Sequence, residues 1–97
     1  MCKSEIFAKI LRIVSEETEI STSDILSSSK ETDVVDARYL LVYLLHERGF
    51  YPSQIALHVC KTKRSINYIL SSFSDRIQGG KILRIQYENI KKLLRNK

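Results

Sequence analysis

Apolar residues recur every three or four positions along most of the chain and nowhere alternate long enough to line one face of a strand. That period predicts a succession of helices. In the first, Ile6, Ile10 and Ile13 with Phe7, Leu11 and Val14 form a stripe, and Ser4 is the expected N-cap. A short second helix fits the stretch from Ser21 to Ser29, with Ser21 or Ser23 as its cap and Asp24 at the positive end of its dipole. Ser27, Ser28 and Ser29 should end it, because their hydroxyls compete for backbone partners. The third helix, about Asp33 to Arg48, carries Val34, Val35, Ala37, Leu40, Leu41, Val42, Leu44 and Leu45. A helix apolar nearly all round belongs at the centre of a bundle. Gly49 follows as a C′ residue able to take a positive φ.

Pro52 suits the first turn of a fourth helix, where its missing N–H costs nothing, and Ile55, Ala56 and Val59 are its inward positions. A turn over Cys60 to Thr62 leads to a fifth helix with Thr62 as N-cap. There Ile66, Ile69, Leu70 and Phe73 share one face, while Arg64, Tyr68 and Ser71 lie opposite and Asn67 on the flank. Gly79-Gly80 should close this helix. A last helix, about 82–94, carries Ile82, Leu83, Ile85, Ile90, Leu93 and Leu94 on more than one face. Those faces could close on Ile6 to Val14, or leave a surface for a homodimer or a protein partner. The expected architecture is one all-α domain over 1–97, a compact bundle of five to six helices containing a helix-turn-helix at about 51–74.

Charge changes this picture more than composition does. The 43% apolar content suits a folded chain. The net charge of +5 is divided unevenly: residues 1–57 hold six Lys/Arg and nine Asp/Glu, a net of −3, and residues 58–97 hold ten against two, a net of +8. A basic half of that kind points to a polyanion partner. Cys2 and Cys60 fit neither a disulfide framework nor a metal knuckle, and no apolar run after Met1 resembles a signal peptide, so a reducing cytoplasm is expected. His46, His58 and Cys60 lack the spacing of a metal site, and no phosphate loop is present. No membrane span, cofactor, metal or enzymatic activity is expected.

Two helices joined by a short turn match the unit whose second helix enters the major groove with its N-terminal residues at the base edges. Here that N-terminus reads Lys63-Arg64-Ser65, and Arg can make paired hydrogen bonds to guanine. Lys63, Arg64, Ser65, Asn67 and Tyr68 are therefore the expected base-reading residues, and Lys61 and Thr62, just ahead of the helix, are expected at phosphates. For RNA, no aromatic platform of the usual single-strand kind is evident.

Several stretches carry a resemblance. "ISTSDILS", "VVDARYLLVYLLHE" and "YPSQIALHV" occur in the order found in the C-terminal duplex-binding domain of the bacterial replication initiator DnaA. From Ile20 to Phe73 the chain looks like that domain, an all-helical relative of Trp repressor with a helix-turn-helix at its centre. The Val34–Glu47 helix is the most specific part. The resemblance implies a phosphate contact for Arg38, at the family's Ala-Arg position, and places Lys30 in the family's basic loop. Two departures matter. The family reads its origin boxes with Asp-His-Thr where this chain has Lys63-Arg64-Ser65, and its loop arginines are replaced here by Lys30 among Glu31 and Asp33.

The expectation is a double-stranded-DNA-binding domain, sequence-specific, acting as a small bacterial or phage regulator or replication accessory without ATPase activity. The alternative is a helical protein–protein adaptor that keeps the fold and has lost DNA binding, for which the depleted loop speaks.

Overall fold

The computed structural model describes residues 3–95, which form six helices: α1 (Lys3–Thr18), α2 (Thr22–Ile25), α3 (Thr32–Glu47), α4 (Pro52–Val59), α5 (Lys63–Gly79) and α6 (Lys81–Arg95). No strand occurs among the described residues. The reason lies in α3, whose Ala37, Leu40, Leu41, Val42, Leu44 and Leu45 are all within 1% of complete burial. Apolar on most of its sides, it is covered by α1, α2, α4 and α5, and α6 closes the bundle against α1 and α5. Each fully buried Leu or Ile stabilises the fold by roughly 1.5–3 kcal/mol relative to exposure.

The helix ends follow the local chemistry in most places. Ser21 accepts from the Asp24 N–H at 3.1 Å and starts α2, and Ser27 donates to the Asp24 carbonyl at 2.6 Å just beyond its end. Gly49 takes φ 93°, its N–H reaches the His46 carbonyl at 3.1 Å, and the Phe50 N–H reaches that of Leu45 at 3.1 Å. This paired closure satisfies two carbonyls that would otherwise be orphaned, and only glycine takes the left-handed position without strain. Phe50 then turns into the core.

Two expectations need correction, those at Ser4 and at Leu70. Ser4 lies inside the first turn of α1, which already begins at Lys3. Helix α5 ends at Gly79-Gly80 as expected, with Gly79 helical and Gly80 extended at φ −123°, so the α5–α6 joint uses no left-handed residue. The Gly80 carbonyl instead accepts the Arg84 N–H at 3.0 Å, so one residue ends α5 and starts α6. Leu70 is only partly buried, whereas Ile66, Ile69 and Phe73 are the inward residues of α5. On α6 the inward set is Leu83, Ile90 and Leu94; Ile82, Ile85 and Leu93 remain exposed.

Polar and aromatic contacts fix the last helix. Tyr43 stacks on Phe73 with ring centroids 4.1 Å apart, and the Tyr87 ring meets both edge-on at 5.7 and 5.5 Å. The Tyr87 hydroxyl donates to the Glu47 carboxylate, with both oxygens 3.1 Å away, and burial and that carboxylate together push its pKa up. Asn89 donates to Glu17 at 3.1 Å, joining α6 to α1.

Candidate nucleic-acid interface

Between α4 and α5 the chain reverses over Cys60, Lys61 and Thr62. Cys60 holds a left-handed conformation (φ 58°), and the Lys61 N–H reaches back to the Ala56 carbonyl at 3.0 Å. A non-glycine residue there carries a steric cost of roughly 1–2 kcal/mol. Its thiol is exposed. Thr62 returns to extended backbone, and its hydroxyl accepts the Ser65 N–H at 3.1 Å and donates to the Ser65 hydroxyl at 3.0 Å. At the start of α4 the Tyr51 N–H is held by the Gln54 side chain at 2.9 Å. Ile55, Ala56 and Val59 on one helix, and Ile66, Ile69 and Phe73 on the other, are buried in a common core.

Burial of that face fixes what α5 presents outward. Lys63, Arg64, Ser65, Asn67 and Tyr68 are all exposed, and Tyr68 leaves 65% of its surface open. The five lie over two turns at the N-terminal end of α5, with Lys63 and Asn67 toward one flank and Ser65 toward the other.

The cations expected at phosphates divide into two groups. Lys30 is exposed on the loop before α3. Arg38 is turned inward at 9% exposure, and its guanidinium holds three backbone carbonyls: Nε to Ile25 at 3.0 Å, one terminal nitrogen to Ser29 at 3.2 Å, the other to Ser27 at 2.6 Å. Burial lowers its pKa from an ordinary value so high that it stays charged. The Lys61 ammonium also donates to the Ser27 carbonyl, at 3.3 Å. Arg38 and Lys61 therefore clamp the serine loop to α3 and to the turn before α5. This is a structural job that the sequence pattern did not suggest for either residue.

The loop so held forms one wall of a cleft of about 550 Å³, and α5 forms the other. Lys30, Arg38, Lys61, Arg64, Ser65 and Tyr68 converge there, joined by Ser28, Val35, Tyr39 and Ile69, which sequence reasoning missed as a site. Lys63, Asn67 and Thr62 do not line it. Four cations and no carboxylate border the cleft, so its field is positive. Asp36, on the adjacent turn of α3, is occupied by Arg76 at 2.6 Å. The same Arg76 guanidinium lies 4.6 Å from the Tyr39 ring centroid, and burial pushes the Tyr39 pKa up.

Among the described residues no group of three His, Cys, Asp or Glu side chains could hold a metal ion, and no helix is long and apolar enough to cross a membrane. Neither a family model nor a curated protein matches the chain.

Proposed function

We propose that this protein binds double-stranded DNA through a helix-turn-helix made of α4 and α5, with α5 as the recognition helix. The reading rests above all on one observation. Directly after a three-residue turn, α5 presents Lys63, Arg64, Ser65, Asn67 and Tyr68 outward while its opposite face is buried. Arg64, Asn67 and Tyr68 would meet base edges, and Lys30, Lys61 and Thr62 the backbone. Arg38 would act one step back, by holding the loop that carries Lys30. The resemblance of residues 20–73 to the initiator's duplex-binding domain supports the same reading. The changed residues at the start of α5 argue for a different target sequence. Catalysis forms no part of this function.

The test is a titration against mixed duplexes over a range of salt. Neutralising about four to five phosphates gives a slope of log K against log salt near −4. Arg64→Ala should lower preference for a selected best site by about 1–3 kcal/mol, and Lys30→Ala should weaken all sequences alike and reduce the slope by about 1. Absent binding at low salt, or binding indifferent to salt, overturns the reading. A second reading, a protein–protein adaptor that engages its partner through α6 and has lost DNA binding, is favoured by the exposed row Ile82, Ile85 and Leu93. It predicts a complex lost on Ile85→Glu, with no duplex binding to lose.

A further inference from the structure

The cleft between the serine loop and α5 has chemistry that a duplex leaves unused. Its cations suit a phosphate, yet its floor is Val35, Ile69 and Tyr39, and the open ring of Tyr68 stands at its mouth. A duplex keeps its bases stacked on one another and turns sugar and phosphate outward, so it brings no planar apolar face to such a floor. A single unstacked nucleotide does: every base has a face that stacks on an aromatic ring, and its phosphate lies a few ångströms away. The volume of about 550 Å³ lies inside the usual 300–1,000 Å³ range of small-molecule sites. Arg76 lies over the Tyr39 ring, which leaves Tyr68 as the stacking surface.

We propose that this cleft binds one unstacked nucleotide, its base against Tyr68 and the Val35–Ile69 floor and its phosphate among Lys30, Lys61 and Arg64. The nucleotide is either free in solution or part of a single strand. Because Arg64 would serve both ligands, the bound nucleotide and a duplex compete. Competition of this kind would make duplex binding sensitive to nucleotide concentration.

The protein contains five Tyr and no Trp, and two of the five, Tyr39 and Tyr68, line the cleft, so the part of the tyrosine emission change that is lost in Tyr68→Ala reports on it. The experiment titrates the whole chain with adenosine monophosphate, adenosine, inorganic phosphate and hexathymidylate, following tyrosine emission and backbone amide shifts. Adenosine monophosphate should bind about tenfold or more tighter than adenosine or phosphate alone, because only it engages floor and cations together. The shifts should centre on Ser28, Lys30, Ser65 and Tyr68. Tyr68→Ala should weaken the nucleotide about tenfold and leave phosphate unchanged, whereas Lys30→Ala should weaken both. Both side chains are exposed, and unchanged far-UV circular dichroism would confirm that the variants fold.

Hexathymidylate binding more tightly than the mononucleotide, and still dependent on Tyr68, identifies a strand as the source. Equal affinities identify the free nucleotide. The proposal is overturned if the mononucleotide binds no tighter than phosphate, if Tyr68→Ala has no effect, or if the shifts fall outside the cleft. A parallel duplex titration keeps the readings apart, since nucleotide binding without duplex binding removes the helix-turn-helix function alone, and the reverse result removes this inference alone.

Discussion

Replacing Arg38 with methionine tests whether the serine loop is held by the guanidinium. Methionine keeps most of the aliphatic stem but makes none of the three hydrogen bonds at 3.0, 3.2 and 2.6 Å to the carbonyls of Ile25, Ser29 and Ser27. A hydrogen bond to a charged group is worth about 1.5–3 kcal/mol, although the three share one guanidinium and do not add. Removing a buried charge returns some desolvation energy, and the Ser27 carbonyl keeps its bond to Lys61 at 3.3 Å. The Ile25 carbonyl, whose bond is buried, loses most. The expected net loss is about 2–4 kcal/mol, or roughly 10–25 °C in Tm for a chain of this size. Arg38→Lys keeps the charge but reaches one carbonyl at a time, and should recover about half of that loss. Thermal unfolding followed by circular dichroism measures both variants. A fall of less than about 3 °C for Arg38→Met, under 1 kcal/mol on this scale, would refute the clamp.

Other predictions follow from single positions. Ile66→Ala should cost about 2–5 kcal/mol in urea unfolding, Leu70→Ala clearly less because that side chain is only partly buried, and Ser71→Ala almost nothing; similar losses at all three would show that α5 packs by another face. Gly49→Ala, with open space around the new methyl but φ 93°, should cost about 1–2 kcal/mol through backbone strain alone, visible in the same assay. Tyr87 keeps its proton in the fold above the ordinary value of 10, while the unfolded chain releases it there. Stability from this group is therefore complete below about pH 10 and declines as the pH rises further, and Tyr87→Phe should flatten that part of a stability–pH curve.

The helices were legible along the chain, because each is specified by interactions within a few residues. The period of apolar positions fixed α1, α3, α4 and α5, Pro52 and Gly49 marked boundaries, and Ser21 and Thr62 capped the helices they precede. It also fixed which face of α5 turns inward, since Ile66, Ile69 and Phe73 form its most continuous apolar side. What Arg38 does was not legible. An arginine in a helix reads the same whether its guanidinium meets solvent or the carbonyls of a loop nine to thirteen residues earlier. The cleft was equally hidden, because Lys30, Tyr39, Lys61 and Tyr68 lie on four separate segments that carry no common pattern. On α6, two apolar sides are present in the sequence, and only packing against α1 and α5 decided that Leu83, Ile90 and Leu94 are covered. Local hydrogen bonds and periodicity are encoded by neighbours along the chain, whereas a shared cleft and a buried cation depend on distances that exist only after the helices have packed.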